Sequence, residues 1–130
     1  MNNTKSYFDS INDSLTKVLI AKSRFDNSKI KHFERGEEII IDRILNKQIP
    51  ELLKKLIQTI DVNSELDEKL NAVNAHSYAS IIKESITEHP GLWEKAFDEC
   101  KKVTVVTIVI RSLEKAAAEI TRVVGKILSE

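Results

Sequence analysis

Glycine and proline are scarce in this chain of 130 residues, three and two respectively. That is too few for the many tight turns of a β-sandwich or barrel. Cysteine occurs once, at Cys100, which excludes an intrachain disulfide and fits a reducing compartment. No charge sign dominates either, since 20 basic residues stand against 20 acidic ones. Halves divided after Glu65 carry about +1 and −1, so binding driven by a broad basic surface is excluded and only a local stripe is left. The longest apolar run, Val103 to Ile110, falls far short of the roughly 20 residues a membrane span needs. The opening residues Met1-Asn2-Asn3-Thr4 carry no basic segment followed by an apolar one, and the chain reads as a soluble, cytoplasmic protein.

What is present is apolar residues at 42% and charged residues at 31%, a balance that builds a core and keeps it soluble. The length fits one domain over residues 1–130. Its periodicity is helical. Phe8, Ile11, Leu15 and Val18 recur at gaps of 3, 4 and 3, predicting a helix from about Thr4 to Arg24, with turn chemistry at Asp26-Asn27-Ser28. Ile30, Phe33, Ile40, Ile44 and Leu45 predict a second helix to about Gln48, weakened by Gly36. Pro50 suits the first turn of a third, whose face is Leu52, Leu53, Leu56, Ile57 and Ile60.

Ser64, followed by Glu65, Asp67 and Glu68, supplies a cap and acids for the positive end of a fourth helix, expected from Glu65 to Thr87. Ala72, Ala75, Ala79, Ile82 and Ile86 would form a small-residue seam along it, with Leu66, Leu70, Val73 and Ile81 on the opposite side. A helix apolar on two faces is central in its fold or shared with a partner. His89-Pro90-Gly91 is the clearest punctuation in the chain. Beyond it, Val106, Ile110, Leu113, Ala117, Ile120, Val124 and Ile127 keep strict alternating gaps of 4 and 3, a coiled-coil-like seam. The β-branched residues of Val103 to Ile110 favour a strand by propensity. A lone strand needs a partner, and only Glu38 to Ile41 offers one, so the helical reading is taken. A single helix from Pro90 to Glu130 would span about 60 Å, well beyond the roughly 36 Å diameter of a compact chain this long. The region therefore bends near Lys101-Lys102 or is covered by another subunit. The expected fold is all-α: a compact bundle of about five helices, antiparallel neighbours and a long C-terminal helical region.

Sites of chemistry are harder to find. A di-iron bundle needs Glu-x-x-His pairs, yet Lys29, Val73 and Ile86 stand three residues before His32, His76 and His89. Zinc signatures and glycine-rich phosphate loops are missing. The Arg-x4-6-His spacing of helical HEPN ribonucleases fails as well, because seven residues separate Arg24 from His32. No catalytic, cofactor or metal residue is assigned. The uncharged stretch from Leu70 to Ile82 holds Asn71, Asn74, His76, Ser77, Tyr78 and Ser80, and Asn74, His76 and Tyr78 could line a polar pocket or reach solvent and backbone carbonyls. Cys100 reads as a small core residue or a thiol activated by Lys101 and Lys102, and Trp93 as core or as a partner's anchor.

Arg111, Lys115, Arg122 and Lys126 fall within about 60° on a helical wheel. They form a candidate anion-binding stripe or, with Glu114 and Glu119 beside them, an ordinary solvated face. Three functional readings follow. The first is a non-enzymatic helical interaction module (structural subunit, adaptor or inhibitor) that contacts a second copy or a heterologous protein through the two seams. The second is a small regulatory nucleic-acid binder using the basic stripe. The third is a ligand or enzymatic pocket around His76 and Tyr78.

Overall fold

The computed structural model describes residues 6–28, 35–62 and 64–128, with the side chains of Arg35, Ser64, Ile127 and Leu128 outside the described part. The expectations placed on Ile30, Phe33, the Ser64 cap and Ile127 of the seam therefore lie outside the described residues. Among the described residues there is no strand. The elements are α1 (Tyr7–Ser28), α2 (Arg35–Arg43), a π-turn (Ile44–Gln48), α3 (Ile49–Thr59), α4 (Ser64–Asn71), a 3-10 turn (Ala75–Ser77), α5 (Tyr78–Glu88), α6 (Pro90–Asp98) and α7 (Val103–Leu128).

α1 begins where Ser6 Oγ accepts the Asp9 amide at 3.1 Å, capping one of the orphan donors of the first turn. It buries Ile11, Leu15, Val18, Ala21 and Phe25, and it stays helical through Asp26-Asn27-Ser28, where the sequence predicts a turn. α2 passes into α3 without a loop. Pro50 has no N–H, and its ring would clash with the carbonyl of Asn46 in a regular α-helix. The backbone instead widens by one π-turn just before it, with the Ile49 amide donating to the Ile44 carbonyl. The α2 face also differs from expectation. Ile40 is 48% exposed while Ile41 is fully buried, because Ile41, Ile44 and Leu45 are the residues that continue onto Ile49 and Leu53 across the widened turn.

The expected fourth helix is two helices. The Ala72 amide is shared between the Glu68 and Lys69 carbonyls, Asn74 takes an extended conformation with ψ of 145°, and the 3-10 turn follows. Asn71 and Asn74 are weak helix formers, and packing supplies the stronger reason. Leu66 and Leu70 lie on one side of the sequence's helical wheel and Ala79, Ile82 and Ile86 on the other. All five are buried in one cluster, which a straight helix cannot achieve within a single core. The break re-aims one half onto the other's core, and Ala72 becomes exposed and Ala75 half-buried.

α5 ends at His89, the residue before Pro90, which is driven out of the helical region to φ −131°, ψ 57°. His89 also opens α6, its carbonyl accepting the Trp93 amide at 3.3 Å. The C-terminal region bends at residues 99–102 as one of the two expected solutions had it, so no overhanging rod forms. The run from Val103 to Ile110 is helical. α7 has 26 residues and spans about 39 Å.

The most extensive helix pairing is α1 with α7. Ser14 Oγ lies 3.4 Å from Glu114 Oε1, and Lys17 lies beside Ala118 and Thr121, so the two helices run side by side in the same direction. α5 runs antiparallel to α1, with Lys83 bonded to Asn12 and Lys22 reaching the His76 carbonyl. The α2–α3 path runs antiparallel to α7: Glu37 meets Lys126, and Thr59 lies beside Cys100. One hydrophobic cluster joins all of these elements.

Candidate functional site

The C-terminal seam closes inside the chain. Val106, Ile110, Leu113, Ala117, Ile120 and Val124 are all buried, against α1 and α3. Ser14 and Ala21 on α1 are buried as well, and with Ala117 they are short enough to let the helices approach closely. Ala79, Ile82 and Ile86 are likewise core. Among the described residues expected at an interface, only Ala72 and Ala75 keep exposure, and the turn has removed them from the seam.

The polar cluster is dispersed. Tyr78 is buried under Lys54, whose Nζ sits 5.6 Å from the ring centre, while Asn71, Asn74, His76 and Ser80 are exposed. His76 borders a cleft of about 300 Å³ floored by Phe25 and Leu45, with Lys22, Asp26, Asp42 and Asn46 around it. Neither Asn74 nor Tyr78 reaches that cleft, so the three residues do not share a pocket. Among the described residues, no group of three or more His, Cys, Asp or Glu side chains is placed to hold a metal ion. Trp93 is fully buried, and its indole donates to Ser85 Oγ at 3.0 Å, which satisfies the ring nitrogen and leaves nothing to anchor a partner. Cys100 is half-buried with its sulfur 3.9 Å from the Thr59 carbonyl.

The basic stripe of α7 points outward, and the structure divides it. Arg122 makes a 2.6 Å ion pair with Glu119 one turn back. That hydrogen bond holds the Glu119 carboxyl below its ordinary value and raises the Arg122 guanidinium. Lys126 pairs with Glu37 at 3.5 Å. Arg111 and Lys115, by contrast, are exposed and form no ion pair among the described residues. They border a shallow groove of about 530 Å³ with Ser112, Glu114 and Ala118, and its apolar end is Ile108. Ile108 is 51% exposed, as open as any large apolar side chain among the described residues.

Compared with known proteins, the chain matches no family model, no curated protein and no solved structure. Sequence reasoning missed Ile108. The signal is present, because Ile108 lies one turn before Arg111 and Ser112 on the same wheel sector as the stripe, but of the run from Val103 to Ile110 only Val106 and Ile110 are placed by the seam, and the stripe is traced from its charged residues alone. Among the described residues no helix is long and apolar enough to cross a membrane.

Proposed function

We propose that this chain is a non-enzymatic helical interaction module, working in the cytoplasm as a structural subunit, adaptor or inhibitor, and that it associates with its own kind through the outward face of α7. One observation carries the reading: a half-exposed isoleucine, Ile108, sits at one groove beside two cations, Arg111 and Lys115, that form no ion pair among the described residues. A lone exposed isoleucine is ordinary; the two cations at the same groove give Ile108 the apolar centre and polar rim of a contact surface. Arginine in particular is favoured at such contacts because its flat guanidinium binds carboxylates in a forked geometry.

A phosphate-binding role would draw on Arg111, Lys115, Arg122 and Lys126 together. Pairing of the last two with Glu119 and Glu37 leaves about two cations for a duplex, which corresponds to a shallow salt dependence and weak affinity. That favours a protein partner over nucleic acid.

Absolute mass by light scattering over a concentration series at low salt tests the reading. The expected result is a mass that rises above 14.8 kDa with concentration and returns to the monomer in Ile108→Asp, whose melting temperature stays within a few degrees of the parent because the side chain is half in water. A strict monomer at every concentration, or association untouched by Ile108→Asp, would overturn it.

A further inference from the structure

We infer that the outward face of α7 is met by the acidic groove between α4 and α5 of a second copy, a head-to-tail contact that rests on the reading of α7 as the contact surface. The groove has a volume of about 230 Å³ and includes Glu65, Glu84 and Glu88 around Leu66 and Ile81, with Lys69 as its one fixed cation and His89 at its end. Glu84 and Glu88 are exposed and form no ion pair among the described residues. Each surface therefore holds a pair of like charges on a helix, four residues apart, with no ion pair among the described residues: Arg111 and Lys115 on α7, with Glu114 between them, and Glu84 and Glu88 on α5, with Lys69 across the groove.

Four residues are about 6 Å along a helix axis, so the two pairs have the same spacing. Laid antiparallel, the helices set Arg111 against Glu88 and Lys115 against Glu84, bring Ala118 opposite Ile81, and carry Ile108 past the end of α5 at Glu88. A chain with no net charge thus carries complementary patches on different helices. α7 packs on α1 and α3, whereas the groove belongs to α4 and α5. The contact uses two different surfaces, which makes it heterologous, and it propagates into rings or open chains of copies instead of closing as a two-fold dimer. Its energy is largely that of exposed charges, so the association is weak and sensitive to salt.

Charge exchange tests this in the full chain, with mass read by light scattering and folding checked by thermal melting. Raising salt from about 50 to about 300 mM is expected to weaken self-association by about tenfold. Arg111→Glu/Lys115→Glu and Glu84→Lys/Glu88→Lys should each be monomeric with a near-parental melting temperature, and mixing the two should restore assembly because both contacts become complementary again. The single reversals Lys115→Glu and Glu84→Lys serve the same cycle should a double variant melt early. Parental association that survives both double variants, or monomeric variants that stay monomeric when mixed, would overturn the head-to-tail contact while leaving α7 as the interaction face. A parental chain that is monomeric throughout would overturn both.

Discussion

α7 runs unbroken for 26 residues, whereas the stretch from Ser64 to Glu88 is divided by a turn at residues 72–74, although both carry small and apolar residues three and four apart. Intrinsic propensity would favour the opposite outcome in part, since α7 opens on valine, threonine and isoleucine, which lose side-chain freedom in a helix. The difference lies in the number of faces to be buried. α7 has one continuous seam and a charged back, so a straight helix satisfies it. The 64–88 stretch has two apolar faces, and one chain buries both only by breaking the helix between them. Spacing sets which residues share a face; the count of faces sets whether the helix survives.

The largest expected effects lie on the α7 seam. Leu113→Ala should cost about 3 kcal/mol in denaturant unfolding, from lost transfer energy and a residual cavity. Ile120→Asp should leave no cooperative transition, because a carboxylate without a partner would enter a fully buried site. A seam that tolerated both would not be the core of this chain. The broken stretch gives a sharper contrast. Ala79→Asp should destabilise by more than about 2 kcal/mol, since Ala79 is buried, while Ala72→Asp should change stability by less than about 0.5 kcal/mol. Equal penalties at the two alanines would restore the continuous helix and contradict the turn.

Smaller effects probe the ends of α7. Gly125 is helical, and a Cβ there would meet nothing within 4 Å, so Gly125→Ala should stabilise by about 0.5–1 kcal/mol through the unfolded chain's entropy, seen as a melting temperature higher by about 2–4 °C. A lower one would show the last turns of α7 to be packed against something. The smallest effect concerns the ion pair on its back. The Arg122 hydrogen bond depresses the Glu119 pKa in the folded chain, so the pair's contribution is present above the ordinary carboxylate pKa and is lost as pH falls through the depressed value. Both groups are exposed to water and screened. The expected readout is therefore an NMR titration of Glu119 with its midpoint below the ordinary value, returning to it in Arg122→Gln; an unshifted parental midpoint would contradict the pairing.

Much of the fold was legible in the residues. The helix boundary at His89-Pro90 followed from proline's missing donor, Pro50 widened a continuous helical path instead of ending it, and the faces of α1, α3 and α7 followed from spacing. The break at 72–74 was not legible, because it answers the direction of a core that only tertiary packing defines. The one-residue shift from Ile40 to Ile41 is of the same kind, since Pro50 marks a disturbance of the helix but not the phase in which the widened turn leaves the preceding face. At the surface, the stripe of Arg111, Lys115, Arg122 and Lys126 could be read from the wheel, but among the described residues the pairing of Lys126 depends on Glu37, a residue 89 positions away. Long-range charge pairing leaves no local signature. The self-association expected from two free seams has lost both of those surfaces, and what supports it is the groove beside Ile108.

The concentration dependence of thermal unfolding tests the central claim, that the seam of α7 closes within one chain, most directly. An intramolecular seam predicts a melting temperature that stays constant from about 1 to about 100 μM, because the weak outer contact contributes little over that range and mass action then has nothing to shift. A melting temperature that climbs steadily with concentration would mean that the seam is completed by another copy, and would contradict the account.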